Sequence, residues 1–425
     1  KMEKFVIQGG KKLKGEITTS GAKNSVLPIL AASIMSNKKS IIHNVPVLQD
    51  VKTMVKILEY LGAKVSFKNH TVEIDPSGIN RYDAPYEFVK TMRASIALLG
   101  PMVARSGKAQ FSLPGGCVIG PRPIDLHIKG LQRLGVDVKI EDGYIIADAK
   151  KGLKGNHIFL GGTFGSSVLA TANVMCAAVF AKGTTIIEFA ACEPEVSDLA
   201  NFLVKMGAKI TGIGSPCITI EGVKKLDGVE YSVIPDRIEA GTFVLAGAIT
   251  GGNVCVKKCQ PFHMGAFIER VTETGIPVET GKNFISIKGI REWKSVDVVT
   301  FAYPGFPTDL QAQMMAFLSL ADGVGVITEK VFPERFIHAG ELNRLGANIQ
   351  LDGPRAIVRG VKKLLGARVM ASDLRASAAL VLAGLAAEGT TEVSRIYHLF
   401  RGYEDFEKKL NQLGADIKKE KDTFQ

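Results

Sequence analysis

The stretch Leu58-Glu59-Tyr60-Leu61-Gly62-Ala63-Lys64-Val65 decides the fold, because close variants of it recur along the chain. Its six copies are centred on Gly62, Gly135, Gly207, Gly275, Gly346 and Gly414. Successive glycines are 73, 72, 68, 71 and 68 residues apart. The chain is therefore built from six repeats of about 70 residues. In each copy we expect the glycine to follow a helix as its C′ residue and a strand to begin directly after it.

A second helix, almost without charge after its first turn, is predicted earlier in each repeat. These helices are rich in Ala, Leu, Val and Met and are expected at 23–35, 92–104, 169–181, 237–249, 309–321 and 374–387. A helix that is apolar all round belongs in an interior. Each repeat thus has one helix to bury and one, ending in the Gly phrase, to expose. Six independent domains would leave the apolar helices exposed, so we favour several repeats packed around shared buried helices.

The composition is that of a globular protein with full hydrophobic cores. Of the 425 residues, 46% are hydrophobic and 22% charged, so neither a disulfide nor a metal is needed for folding. The six cysteines include no CxxC pair, which favours reduced thiols in the cytoplasm. No signal-peptide core or membrane-spanning segment is recognisable. We expect no metal, no cofactor and no membrane association.

The net charge of +11 favours acidic partners. The lysines are dispersed and lack the clustering of a nucleic-acid surface, so we expect no nucleic-acid partner. A small anionic substrate explains the charge equally well.

The segment 114–127 combines a thiol, a guanidinium, a carboxylate and an imidazole within eleven residues. These groups are Cys117, Arg122, Asp125 and His127, and glycines and prolines separate them. An exposed thiol beside an arginine could ionise readily or serve as an acid toward an anionic substrate. The alternative is a Gly/Pro surface turn in which Cys117 is a small buried hydrophobic residue.

Charged residues also stand at the starts of the apolar helices. Lys23 and Arg93 are unfavourable there unless an anion is present, because a cation opposes the helix dipole. Asp309 and Asp373 could instead be N-caps or first-turn acids. Several such helix starts would together form a site for a polyanion. Arg401 follows the strand of the last repeat, and its alternative role is a surface salt bridge.

Six motifs follow one another along the chain. They are Ser20-Gly21-Ala22-Lys23-Asn24-Ser25, Thr91-Met92-Arg93-Ala94-Ser95, the segment 115–127, Pro235-Asp236-Arg237-Ile238-Glu239, Gly305-Phe306-Pro307-Thr308-Asp309 and Asp373-Leu374-Arg375-Ala376-Ser377. In this order they resemble the motifs of the UDP-N-acetylglucosamine 1-carboxyvinyltransferases, a family of enolpyruvyl transferases. The resemblance extends from about Phe5 to the last repeat.

The resemblance implies a fold and an activity. Members of the family are bacterial cytoplasmic enzymes that transfer the enolpyruvyl group of phosphoenolpyruvate to the 3′-hydroxyl of UDP-N-acetylglucosamine, releasing phosphate and committing the sugar to peptidoglycan. Their fold is a two-lobed inside-out α/β barrel with three repeats per lobe around buried helices. Counting repeats places one lobe at 22–232 and the other at 1–21 plus 233–425. The active site is expected in the cleft between the lobes.

The resemblance also implies the catalytic residues. Cys117 matches the loop cysteine that the antibiotic fosfomycin alkylates and that has a general-acid or product-release role. Asp309 matches the carboxylate beside the 3′-hydroxyl of the sugar, which makes it the candidate base. Lys23, Arg122 and Arg401 match cations around the phosphate and carboxylate of phosphoenolpyruvate.

Further positions match substrate-binding residues of the family. Asn24 and Glu193 match positions near the substrate or intermediate, and Asp373 and Arg375 match residues that assist lobe closure and the cysteine loop. Positions that line the nucleotide-sugar site are matched by Arg93, Pro123, Ile124, Asp125, Leu126, Ser167, Val168 and Val331.

The segment 161–169 departs from the family pattern. The family usually has glycine where this chain has Leu169, and the residues before it are altered. A bulky side chain there could hold the backbone away from a phosphate, which leaves open a catalytically idle paralogue. A sister enzyme acting on shikimate 3-phosphate shares the chemistry but lacks the cysteine loop.

Overall fold

The computed structural model describes residues 2–90, 92–113 and 124–422. These residues form two compact units. The continuous unit comprises the described residues between Gly21 and Ile234, and the discontinuous unit combines the described residues before Gly21 with those from Pro235 onward. The predicted residues Cys117, Arg122 and Pro123 lie outside the described residues.

Helices and strands alternate in both units. The described α-helices are α1 Lys23–Ala32, α2 Gln49–Leu61, α3 Tyr86–Val89, α4 Leu99–Ser106, α5 Asp125–Arg133, α6 Val168–Ala178, α7 Pro194–Met206, α8 Arg237–Ile249, α9 Gly265–Glu273, α10 Gln311–Leu318, α11 His338–Arg344, α12 Leu374–Ala386 and α13 Phe406–Gln412. Short 3-10 helices occupy Ser33–Met35, Pro76–Gly78, Arg93–Leu98, Pro261–Met264, Thr308–Leu310 and Ile396–Arg401.

The strands form six four-stranded sheets in the described residues. The strands are β1 Glu3–Gln8, β2 Lys14–Thr18, β3 Ser40–His43, β4 Lys64–Lys68, β5 Thr71–Asp75, β6 Asp83–Ala84, β7 Lys108–Ser112, β8 Asp137–Glu141, β9 Tyr144–Asp148, β10 His157–Phe159, β11 Thr184–Glu188, β12 Lys209–Thr211, β13 Cys217–Glu221, β14 Glu230–Ser232, β15 Asn253–Lys257, β16 Val278–Thr280, β17 Phe284–Ile287, β18 Val298–Val299, β19 Val324–Thr328, β20 Asn348–Asp352, β21 Arg355–Arg359, β22 Arg368–Met370, β23 Thr390–Ser394 and β24 Asp416–Lys421.

All six sheets have one strand pattern. In β6-β7-β9-β8, for example, the edge strand β6 is parallel to β7 and the other neighbours are antiparallel. The other sheets are β14-β3-β5-β4, β10-β11-β13-β12, β2-β15-β17-β16, β18-β19-β21-β20 and β22-β23-β1-β24. The predicted six-fold repetition is therefore confirmed, and each unit contains three of the sheets.

The repeated glycines have the backbone that a helix end requires. All six have positive φ angles, from 91° at Gly135 to 113° at Gly207. This left-handed region is readily available only to glycine, so the residue releases the chain from the helix into the following strand. The predicted C′ role is confirmed.

The predicted apolar helices lie in the interior of each unit. Every residue of α8, from Arg237 to Ile249, is buried, and so are Arg375 to Leu385 of α12. Two of the six begin with 3-10 turns, at Arg93–Leu98 and Thr308–Leu310. The helices of the Gly phrase are instead amphipathic; α9, for instance, buries only Phe267 and Val271. Burying one helix and exposing the other is thus confirmed as the plan of the repeat.

The first two strands belong to sheets otherwise formed by distant parts of the chain. β1 lies between β23 and β24, and β2 pairs in parallel with β15. Among the described residues, the chain passes from one unit to the other between Ser20 and Gly21 and between Ile234 and Pro235. Across the described chain, every helix is too short or too polar to span a bilayer.

Candidate active site

Asp309 of the discontinuous unit is held between two buried arginines. Its Oδ1 accepts a hydrogen bond from Arg335 Nη1 at 2.9 Å, and its Oδ2 accepts one from Arg375 Nη2 at 3.1 Å. The arginine side chains are 4% and 3% exposed, whereas that of Asp309 is 26% exposed. Charge-assisted bonds of this kind fix a carboxylate firmly. The partial exposure of Asp309 leaves its carboxylate accessible from solvent.

Asp309 is not an N-cap. It lies in the first turn of the 3-10 helix Thr308–Leu310, whose N-cap is Pro307. Asp373 does cap α12, because its Oδ1 accepts from the backbone N–H groups of Arg375 at 2.8 Å and Ala376 at 3.0 Å. Asp373 thereby positions the turn that carries Arg375 toward Asp309.

Arg375 also lies over the ring of Tyr403, with its guanidinium carbon 5.3 Å from the ring centroid. Burial raises the pKa of the Tyr403 hydroxyl, so this group stays protonated. That hydroxyl bonds Thr242 Oγ1 at 2.9 Å and accepts from Gln313 Nε2 at 3.2 Å. The same Nε2 donates to the backbone oxygen of Asp309 at 2.9 Å. Three helices, α8, α10 and α12, therefore hold the pair Asp309 and Arg375.

Arg335 is a site residue that the sequence analysis missed. It lies between β19 and α11, 26 residues from Asp309 along the chain. The run Phe332-Pro333-Glu334-Arg335-Phe336 resembles an ordinary connecting segment. The sequence offers one hint of a site here, an arginine flanked by Phe332 and Phe336. The same pattern is compatible with a solvent-exposed charge.

His338, the first residue of α11, is a buried neutral histidine. Burial lowers the pKa of its imidazole to about 4, and its Nε2 lies 2.9 Å from Gln311 Oε1. The Gln311 amide donates to the backbone oxygen of Arg335 at 2.7 Å. His338 thus belongs to the packing behind the arginine rather than to the chemistry.

The lowered pKa of His338 predicts that the protein becomes less stable as the pH falls. Between pH 6.5 and about 4 the unfolded chain binds a proton that the folded protein does not, so the free energy of unfolding decreases as the pH falls. We expect a slope of up to about 1.4 kcal/mol per pH unit from this group. Urea unfolding at pH 7, 6 and 5 measures it. His338→Gln should be less steep over the same range; an unchanged slope would contradict the assignment.

In the continuous unit, Lys23 begins α1 and forms a buried ion pair. Its Nζ lies 2.8 Å from Asp50 Oδ2, with side chains 10% and 3% exposed. Asn24 is exposed beside it, and the Ser25 hydroxyl donates to Asp198. The Asp198 carboxylate also accepts from the Tyr231 hydroxyl and from the Ile234 backbone. These contacts fix the start of α1, where the Lys23 cation and the Asn24 amide lie.

The start of α6 lies among the residues matched to the nucleotide-sugar site. Ser167 is its N-cap, and Ser167 Oγ accepts from the Ala170 N–H at 3.3 Å. The adjoining turn is closed by two backbone bonds between Gly162 and Gly165. A Cβ on Gly162 would lie 3.0 Å from Leu126 Cδ1, so this turn packs on α5. Leu169 is half-buried against the hydrophobic core.

The other predicted residues occupy loop ends and helix ends. Arg93 begins a 3-10 helix, Ile124 is the N-cap of α5, and Glu193 is the N-cap residue of α7. Asp125 is exposed in the first turn of α5, and Val168 begins α6. Arg401 ends the 3-10 helix Ile396–Arg401. The pKa of the half-buried His398 is lowered mainly by burial and next by the charge of Arg401.

Taken by itself, the discontinuous unit presents a carboxylate that could take a proton, set beside fixed cations. The continuous unit presents a buried lysine and helix starts that could bind an anion. Groups of these kinds suit a proton transfer on a substrate that carries phosphate and carboxylate.

A sequence model of the family described as EPSP synthase (3-phosphoshikimate 1-carboxyvinyltransferase) matches residues 7–424. The chain belongs to this family. Its fold is that of solved enolpyruvyl transferases: the enolpyruvyl transferase NikO of Streptomyces tendae superposes with a TM-score of 0.89 at 26% identity, covering 98% of this chain and 99% of that one. EPSP synthase of Acinetobacter baumannii gives 0.76 at 19% identity, with 99% and 100% covered.

Within the family, curated proteins named UDP-N-acetylglucosamine 1-carboxyvinyltransferase are much more similar in sequence. The protein of Methylacidiphilum infernorum is 54% identical over 416 residues, which is 98% of both chains. That of Geotalea uraniireducens is also 54% identical, over 98% of this chain and 99% of its own. The protein of Myxococcus xanthus is 51% identical over 426 residues, with 99% and 100% covered.

Proposed function

We propose that the chain transfers the enolpyruvyl group of phosphoenolpyruvate to the 3′-hydroxyl of UDP-N-acetylglucosamine and releases phosphate. This reaction is the first committed step of peptidoglycan precursor synthesis and takes place in the cytoplasm. The full-length identity of 54% to relatives named for this activity carries the proposal. We further propose that the two units are the three-repeat lobes of an inside-out α/β barrel.

Asp309 is the proposed base. It takes the proton of the sugar 3′-hydroxyl as the oxygen attacks C2 of phosphoenolpyruvate, while an acid delivers a proton to C3. Loss of phosphate and of a C3 proton then restores the double bond. The hydrogen bonds from Arg335 and Arg375 support this role, because they orient the carboxylate before the substrate arrives.

Lys23, Arg122 and Arg401 are the proposed ligands of the phosphate and carboxylate of phosphoenolpyruvate. Asn24 and Glu193 are proposed to contact the substrate or intermediate, and Asp373 and Arg375 to assist closure. The nucleotide-sugar positions proposed are Arg93, Pro123, Ile124, Asp125, Leu126, Ser167, Val168 and Val331. The buried, ion-paired position of Lys23 supports the proposal, since such a cation has a fixed direction.

Cys117 is proposed as the general acid or product-release residue and as the thiol that fosfomycin alkylates. Three of the other thiols are poor competitors for an electrophile. Burial raises the pKa of Cys176 and Cys192, and it raises the pKa of Cys259 to about 11, which disfavours the reactive thiolate. Cys217 is exposed and is the appropriate control.

The test is phosphate release from phosphoenolpyruvate with either UDP-N-acetylglucosamine or shikimate 3-phosphate as acceptor. We expect release with the nucleotide sugar alone and slower release by Cys117→Ala. Fosfomycin should add one covalent adduct, seen by mass spectrometry, that is lost in Cys117→Ala and kept in Cys217→Ala. Release with shikimate 3-phosphate would overturn the acceptor. Silence with both acceptors from folded protein would indicate an idle paralogue and direct attention to Leu169.

A further inference from the structure

Glu329, which follows β19, is a fully buried carboxylate to which the proposed chemistry assigns no role; its exposure is 0%. Its Oε1 accepts from the Thr300 hydroxyl at 2.6 Å. The same oxygen accepts from the backbone N–H groups of Val331 at 3.1 Å and Phe332 at 3.0 Å. One oxygen thus fixes the backbone at Val331, a proposed nucleotide-sugar position.

The second oxygen of Glu329 faces the site of Asp309. Oε2 accepts from the Thr308 hydroxyl at 3.0 Å and from Gln311 Nε2 at 3.3 Å. Since every partner donates, the group acts purely as an acceptor, as an ionised carboxylate does. The Thr308 proton is therefore directed toward Glu329, and its lone pairs face away.

Those lone pairs receive Arg335. Arg335 Nη1 donates to Thr308 Oγ1 at 3.0 Å and to Asp309 Oδ1 at 2.9 Å. A continuous set of bonds thus runs from Glu329 through the Thr308 hydroxyl to Arg335 and on to Asp309. If the hydroxyl turned its proton toward Arg335, two donors would face each other and the guanidinium would have to move.

We propose that Glu329 is a positioning residue for the transfer reaction: through Thr308 it orients Arg335 against the base Asp309, and through its other oxygen it sets the backbone at Val331. This inference rests on the proposed function. In this role Glu329 would not touch the substrate. It would align the base Asp309 with the proposed sugar-binding segment at Val331.

Glu329→Gln tests the proposal with little change in shape, because it replaces one acceptor oxygen with a donor. We expect kcat for phosphate release to fall about tenfold while KM for phosphoenolpyruvate is unchanged. We also expect the acid limb of the kcat profile to move to higher pH, since a displaced Arg335 stabilises the Asp309 carboxylate less. A merely structural residue would not move that limb.

A double-mutant cycle tests whether Glu329 acts on Arg335 through the Thr308 hydroxyl. Thr308→Val removes the intervening hydroxyl, so the double variant with Glu329→Gln should lose little more kcat than the worse single variant. Thr391→Val is the matched control: Thr391 is a fully buried threonine of β23 in the same unit. Its effect should be small and additive with Glu329→Gln.

The outcomes separate this inference from the proposed function. Phosphate release by the unaltered protein with UDP-N-acetylglucosamine upholds the function before any variant is compared. Given that release, additive effects of Glu329→Gln and Thr308→Val, or an unmoved acid limb, would overturn the positioning role alone. Absence of release from the unaltered protein would overturn both.

Discussion

Replacing Asp309 with asparagine is expected to lower kcat for phosphate release about a thousandfold, within the range typical of a lost general base. The amide keeps the size of the carboxylate but cannot take the proton of the 3′-hydroxyl. It would also place an NH₂ group against Arg335 or Arg375, which now donate to the two carboxylate oxygens. The measurement is steady-state phosphate release at saturating substrates.

Two measurements separate lost chemistry from lost structure in Asp309→Asn. Calorimetric titration with UDP-N-acetylglucosamine should still show binding, and thermal unfolding should still be cooperative. Asp297→Asn is the control, since Asp297 is an exposed carboxylate of the same unit whose Oδ1 accepts from the Val326 backbone N–H. It should retain normal turnover. A kcat for Asp309→Asn within tenfold of the unaltered value would exclude Asp309 as the base.

Lys23→Met should lower kcat about a hundredfold and raise KM for phosphoenolpyruvate, because methionine keeps the apolar stem but not the cation. It should also destabilise the fold. Asp50 is 2% exposed and would lose its lysine, and breaking a buried ion pair by removing one partner costs about 3 to 5 kcal/mol. Phosphate release and urea unfolding report the two effects independently.

The double variant Lys23→Met with Asp50→Asn distinguishes those two roles of the lysine. Removing the buried carboxylate should restore much of the stability while leaving turnover low. Lys52→Met, on an exposed position of α2, should change neither property. Recovery of turnover in the double variant would mean that Lys23 serves the fold and not the phosphate.

The repeat plan could be predicted because its signals are local. Gly207 needs a left-handed backbone, and only the residues beside it decide that. The apolar run of α8 likewise has no face for water whatever its neighbours are. Lys23 could be singled out because a cation opposes the dipole at a helix start.

The partners of these residues could not be predicted, because they come from distant parts of the chain. Arg375 is 66 residues from Asp309, and Asp50 lies on α2 whereas Lys23 begins α1. Glu329 follows the strand β19, and a glutamate just after a strand is ordinarily exposed to solvent. Its burial depends on donors from Thr300, Thr308 and the backbone beyond it, and no local pattern encodes that convergence.

The position of β1 between β23 and β24 has a consequence for biosynthesis. On the ribosome, the strands of the continuous unit, β3 to β14, are all available once residue 232 has emerged, so that unit can complete its sheets early. β1 and β2 leave the ribosome before the continuous unit does, yet β2 must wait for β15 and β1 for β23 and β24 before they can pair. The nascent chain therefore carries β1 unpaired until β23 and β24 have been made, and during that time its strand edges are open to non-native pairing.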